Sequence, residues 1–447
     1  MRVKLSMNRK RTNQVGLVCI LLASGISILW GSSIGPAANR WVDFKSVYYG
    51  TRCLLEHRNP YKVSELEDVY RVESVKNPSE PIQNHLGVTL YVNLPTSFIF
   101  VAPFALLPWG SAHVLWLTIT AGVFILAALL TWNIGTSYGT NIPLFLMCIL
   151  LANCEVIFCA GNTAGIVVSL CVVAVWCFLK ERFIWAGVLC LAISLAIKPH
   201  DAGLVWLYFL LAGGIYRKRA LQTLLIFIVF GLSAFLWISH VVPHWTEDWQ
   251  TNMAAISAHG GTNDPSLDSL TGRSGGVIVD LQSDIVVFRD DPRIYNLASY
   301  LVCGALLLVW SVRTLKSRFS RAGAFLALAA VVPLTMLVTY HRPYDAKLLL
   351  ITIPACAMLW AEGRPIRWLA LLVTTAGIVF TADIPLTILA ILSSALHVST
   401  AGLSGQVLTV VLTRPTPLIL LAMGIFYLWV YMRRAEPDIK FIQQVGE

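Results

Sequence analysis

The feature that most limits this chain is a succession of apolar runs, each close to one bilayer in length and almost empty of charge. A helix crosses the hydrocarbon core with about 20 apolar residues. Only an element that satisfies its own backbone N–H and C=O groups survives there. Runs at 15–31, 112–134, 142–159, 163–179, 183–197, 202–216, 221–241, 296–313, 321–339, 347–361, 366–381 and 416–432 meet or approach that length. Two further stretches, 94–108 and 384–412, are interrupted by Pro, Gly or polar residues. Composition agrees, with 13 % of residues charged against about 25 % in soluble domains. The expected fold is an all-α polytopic membrane protein of about twelve transmembrane helices, with outer-face loops and interfacial or re-entrant helices. A cytosolic enzyme, a disordered chain and a disulfide-stapled secreted module are excluded.

The net charge of +9 serves orientation in such a chain. With Arg2, Lys4, Arg9, Lys10 and Arg11 in the cytoplasm and the runs threaded alternately, the cytoplasmic connections hold nineteen basic and five acidic residues. They include Lys180 and Arg182, Arg217 to Arg219, Arg364 and Arg367, and a tail with Arg433, Arg434 and Lys440. This threading requires 94–108 and 384–412 to return to the outer face. The basic start and the Ala37-Ala38 pair would suit a cleaved signal peptide, but the run from Val15 to Trp30 is long for one and reads as an uncleaved anchor. The chain then divides into a cytoplasmic tail (1–14), a main membrane region (15–350, outer loops 32–111 and 242–295), C-terminal helices (351–432) and a second cytoplasmic tail (433–447). Nine of the ten cysteines lie in apolar runs, and no C-x-x-C occurs, so no disulfide framework is expected.

The unusual polar residues gather at helix ends on the outer side. A transporter would place such groups near the midplane, on broken helices in repeated halves; here the spans, apart from basic residues at their ends, hold a single charge, Glu155, near an outer end. Asp43 follows the first run among Trp41, Phe44, Tyr48 and Tyr49, a setting that suits a general base or a helix cap. Lys198-Pro199-His200-Asp201 breaks two apolar runs, and Lys198 and His200 would face an anion or snorkel to lipid headgroups. Tyr340 to Lys347 combines His341, Arg342, Lys347 and Asp345 with two tyrosines, a set suited to phosphate. His240 and His244 have a metal-like spacing but Pro243 between them, and the acidic pairs Glu247-Asp248 and Asp290-Asp291 read as solvated loop charge. Gly260-Gly261 and Gly275-Gly276 bracket a polar loop that follows no strand, so no nucleotide cradle is inferred.

In order, these elements resemble the polytopic glycosyltransferases of the GT-C superfamily, and most closely glycosyltransferase family 87. Asp43-Phe44, Tyr48-Tyr49 and Asn59-Pro60-Tyr61 resemble the elements that follow the family's first helix. Leu90 to Pro95, Pro103 and Leu107-Pro108 are similar to its Y-x-Y-P-P and P-hydrophobic-P stretch, with Leu94 in place of the first paired proline. Gly161-Asn162 stands where G-Q is common, and Ala186-Gly187 with Lys198-Pro199-His200 resembles the A-G…K-P-x helix and turn.

The resemblance implies a GT-C-like bundle that transfers a hexose, mannose foremost, from a polyprenyl phosphate to an acceptor hydroxyl on the non-cytoplasmic face, with inversion. Asp43 would be the general base. His341, Arg342, Lys347, Lys198 and His200 would bind the donor phosphate, and Tyr48, Tyr49, Tyr91 and Asn162 would line the substrate groove. With a monophosphate leaving group, no metal or other cofactor is expected. The implied partners are the lipid-linked donor, a lipid or glycan acceptor and the membrane, with no nucleic acid. The implied location is a bacterial inner membrane, with the site facing outward. A lipid-linked saccharide transporter or flippase, and a saccharide ligase or polymerase, remain as alternatives.

Overall fold

The computed structural model describes residues 2–33, 40–76, 85–267, 269, 278–363, 365–396 and 402–434. Ala37-Ala38, Gly275-Gly276, Arg364 and the tail from 435 onward lie outside the described residues. Every regular element among the described residues is helical. The first, α1 (Arg2–Ser33), runs through the expected tail into the first apolar run without interruption.

The segment 32–93, expected as a hydrophilic connection, folds into α2 (Val42–Leu55), α3 (Val63–Lys76) and α4 (His85–Thr89). Then come α5 (Thr96–Ala105) and the long α6 (Trp109–Gly135). The run 142–159 is broken into α7 (Asn141–Leu151) and α8 (Glu155–Ala160). Ser27 of α1 fills the break: its hydroxyl donates to Leu151 O at 2.5 Å and accepts from Cys154 N at 3.1 Å. Next are α9 (Ala164–Lys180), α10 (Ile184–Ile197), α11 (Pro199–Leu211), α12 (Gly214–Val241) and α13 (Trp245–Ser257). The run 347–361 begins as a 3-10 turn, Asp345–Thr352, and continues as the helix Ile353–Ala361. The stretch 384–412 forms two helices, Asp383–Leu396 and Gly402–Thr413.

Among the described residues, six helices are long and apolar enough to cross a membrane: Asn13–Ser33, Trp109–Gly135, Gly214–Val241, Pro292–Lys316, Arg321–Val338 and Pro415–Arg433. A seventh crossing results if Ile366–Val379 and Asp383–Leu389, bent by 74° at their junction, act as one. The chain is thus an integral membrane protein with six to seven candidate spans, below the twelve expected from hydropathy. The difference lies in length. α9 has 17 residues and extends roughly 25 Å at 1.5 Å per residue, short of a hydrocarbon core of about 30 Å.

Burial separates the centre of the bundle from its rim. Of the apolar window of Arg321–Val338, 78 % is buried, against 11 % for α12. The former packs along Pro415–Arg433, while α12 exposes Leu225, Leu232 and Leu236, as a lipid-facing helix does. A second, aromatic core fixes the helices between α1 and α6. Phe44 stacks on Trp109 and Trp116 with ring centroids 5.5 and 4.6 Å apart, and Tyr48, Tyr49, Tyr61, Tyr91 and Phe98 are buried beside it. Each such ring pair is worth about 0.5–1.5 kcal/mol beyond its area burial, so α2 sits on a rigid base.

Candidate active site

Asp43 lies in the first turn of α2. The helix start is anchored by the Trp41 N–H, which donates to Cys159 O at 2.7 Å. Gly161 follows with a positive φ of 63°, and a Cβ there would meet the Phe44 Cβ at 2.8 Å. Only glycine allows this approach of the two backbones. It brings Asn162 beside Asp43. The Asn162 Oδ1 accepts from Ala164 N at 2.8 Å, an Asx turn that opens α9. With the oxygen fixed in this way, the amide nitrogen donates to Asp43 Oδ2 at 2.6 Å.

The turn between α10 and α11 supplies the first cation. Pro199 occupies the first turn of α11 and restricts the preceding Lys198 to an extended conformation, φ −140° and ψ 84°. The Lys198 ammonium donates to Asp345 Oδ1 at 2.6 Å, lies 3.8 Å from Asp201 Oδ2 and covers the Tyr344 ring at 5.0 Å. Burial opposes its charge, but Asp345 and Asp201 outweigh that effect and push its pKa up to about 12.

Behind this turn sit two imidazoles, their ring centroids 4.9 Å apart. His341 is fully buried; its Nδ1 donates to Thr339 O at 2.8 Å, and its Nε2 lies 3.2 Å from Asp201 Oδ1. Burial disfavours an imidazolium there, yet the Asp201 carboxylate holds its pKa above the usual histidine value. His200 has 39 % of its side chain exposed. Burial of its ring, reinforced by Lys198 and His341 and only partly opposed by Asp201, lowers its pKa to about 4, so it is neutral.

Arg342 completes the group. Its Nε donates to the Tyr340 hydroxyl and its Nη2 to Thr262 O at 3.2 Å, while its backbone N–H donates to Asp345 Oδ2 at 2.9 Å. Against the effect of burial, Tyr340, Tyr344 and the Asp43 carboxylate all hold the guanidinium proton more tightly. Burial, Tyr340 and Asp43 likewise raise the Tyr344 pKa.

The structure therefore pairs Asp43 with Asn162 and gathers Lys198, His200, His341 and Arg342 around Asp201 and Asp345. Lys347 does not join them. Its ammonium is buried, donates to Asn153 O at 2.8 Å and Thr381 O at 2.9 Å, and pairs with Asp383 at 3.4 Å, because the 3-10 turn carries it to the α7–α8 break. Tyr48, Tyr49 and Tyr91 also do not line an open groove. The Tyr48 hydroxyl donates to Leu107 O, Tyr91 bonds Ser97, and all three rings are buried in the aromatic core.

Two residues outside the expected set, Asp201 and Asp345, hold the site together. A signal for them exists in the sequence: Lys198-Pro199-His200-Asp201 and Arg342-Pro343-Tyr344-Asp345 share the order cation, proline, ring, acid. The two tetrapeptides pair crosswise, Lys198 with Asp345, while His341, adjacent to the second, faces Asp201.

These side chains form a polar cluster of cations and carboxylates within a helical membrane protein. The chain belongs to glycosyltransferase family 87, whose sequence profile matches residues 91–339. Asn162, Lys198, His200 and Asp201 fall inside the matched range; Asp43 and the 340–347 turn flank it. No curated protein matches the chain, and no solved structure does.

Proposed function

We propose that this glycosyltransferase moves a hexose, mannose foremost, from a polyprenyl phosphate to an acceptor hydroxyl at the outer face of a bacterial inner membrane. In this reading the bundle is GT-C-like, and the shorter apolar helices bring the number of crossings towards twelve. Asp43 takes the acceptor proton as the new bond forms at the anomeric carbon from the side opposite the phosphate. The C–O bond to the phosphate breaks with its electron pair on the leaving oxygen, and the configuration inverts. Arg342 and Lys198 offset the charge that develops there, and such preorganised charge is commonly the largest single contribution to a transferase rate. His341, buried behind His200, supports the phosphate side and does not face the substrate.

The observation that supports this reading best is geometric: Asp43 is held by Asn162 at 2.6 Å, while Lys198 and Arg342 are gathered around Asp345 at 2.6 and 2.9 Å, and Asp43 is among the charges that act on Arg342. Acid–base and charge assistance must act on one bond at once, which needs such a convergence. The test is direct. Purified protein in detergent, given radiolabelled polyprenyl-phospho-mannose and a lipid acceptor, transfers label, and Arg342→Gln weakens donor use. Transfer from a diphosphate-linked donor alone would replace this reading with a ligase or polymerase, and movement of the donor across a vesicle without transfer would replace it with a flippase.

A further inference from the structure

The geometry points to a second property of the site, namely that His200, Asp201 and His341 form a binding site for one divalent transition-metal ion of the zinc type. One ligand atom from each residue lies within 4.8 Å of the other two. Asp201 Oδ1 stands 3.2 Å from His341 Nε2 and 3.8 Å from His200 Nε2. Ligands about 2.1 Å from a tetrahedral zinc are themselves roughly 3.4 Å apart, so the tripod is close to the required size.

Hydrogen bonding at His341 argues for a cation more strongly than the spacing does. Its Nδ1 faces a carbonyl oxygen, Thr339 O, and must therefore carry a proton. In the neutral ring this leaves Nε2 as a lone pair aimed at a carboxylate oxygen, an arrangement that a proton on Nε2 or a bound metal ion relieves, and a metal titration distinguishes the two. Neither His341 Nε2 nor Asp201 Oδ2 has a hydrogen-bond partner, although both are buried. A positive species between them removes the conflict, and the Nδ1–H···O=C bond is the arrangement that commonly orients a metal-binding imidazole. Two imidazoles and one carboxylate favour zinc-like ions over magnesium or calcium, which prefer all-oxygen sites.

The inference rests on the proposed function in one respect. Three protein ligands leave a fourth position, and His200, the exposed member, puts that position on the side where the donor phosphate is placed. The second positive charge beside Lys198 is offset by Asp201, Asp345 and the incoming phosphate. The histidine pair expected from spacing, His240 and His244, offers no such set: His244 is 85 % exposed and approaches only Glu247, at 4.0 Å.

Metal content decides the matter without reference to turnover. Purified full-length protein is stripped with chelator, titrated with Zn²⁺ and separately with Co²⁺, and analysed by mass spectrometry of bound metal and by visible absorption. The expected result is one ion per chain, with a tetrahedral Co²⁺ spectrum, and at least tenfold weaker binding in His200→Ala. That side chain is partly exposed, so its removal leaves the fold intact, while Asp201→Asn serves as a second variant checked by thermal melting. Equal binding by wild type and both variants, or none by the wild type, overturns the site. A protein that binds no metal yet transfers sugar loses this inference alone; one that binds metal and transfers nothing loses the proposed function alone.

Discussion

Asn162 holds Asp43 at 2.6 Å through an amide whose other end opens α9. One side chain thereby fixes both the start of a helix and the direction of the carboxylate 119 positions earlier. Replacing Asn162 with Ala removes both functions. Loss of the cap costs about 0.5–2 kcal/mol of stability. A carboxylate displaced by about 1 Å costs on the order of 100-fold in rate. Steady-state kinetics on Asn162→Ala should show a lowered kcat with little change in the donor KM, and an unchanged kcat would show that the contact does not orient Asp43.

The pair Lys198 and Asp345 carries the junction between the two proline turns. Both side chains are largely buried, at 14 % and 2 % exposure. Removing one member of a buried ion pair leaves an uncompensated charge and costs about 3–5 kcal/mol. Asp345→Ala should therefore melt well below the wild type in detergent. Combining Lys198→Met with Asp345→Leu should recover most of the loss while remaining inactive. Additive destabilisation in the double variant would argue against a direct pair.

Asp284 predicts a pH dependence separate from the site. Both of its carboxylate oxygens are buried without a hydrogen-bond donor. The nearby Arg414 instead donates to Ser283 O and Pro265 O. Burial, only partly opposed by Arg414 and reinforced by Asp280, pushes the Asp284 pKa up to about 8. The folded state then holds a proton that the unfolded state releases at the lower, ordinary carboxylate pKa. The resulting stability is full below that ordinary value and is lost as pH rises through about 8. Asp284→Asn should match the wild type near pH 4 and melt higher than it at pH 8.5. Parallel melting curves across that range would exclude a buried, proton-holding Asp284.

The outline of the bundle was legible because lipid imposes one simple rule, an apolar helix of fixed length. The run 112–134 matches α6 closely, whereas α12 extends the run 221–241 back to Gly214 and takes Arg217 to Arg219, expected in a connection, into the helix. Breaks were not legible where they depend on a distant partner. Nothing near Ala152 announces the end of α7, since the hydroxyl that satisfies it comes from Ser27. The turn chemistry of Lys198-Pro199 and the acid at position 43 could be read locally. Lys347 could not be placed, because its phase is set by a 3-10 turn and its partner Asp383 lies 36 residues on. The aromatic residues of 41–109 were visible as a group, but whether they line a groove or fill a core is decided by packing between α2, α5 and α6.

In the proposed mechanism Asp43 performs the proton transfer while the cations of the site bind the donor separately. Single-turnover transfer and equilibrium donor binding, measured on the same preparation of Asp43→Asn, test it most directly. Donor affinity should stay within a few-fold of wild type and transfer should slow by at least about 100-fold, as expected on removing a general base. Transfer near the wild-type rate in that variant would contradict it.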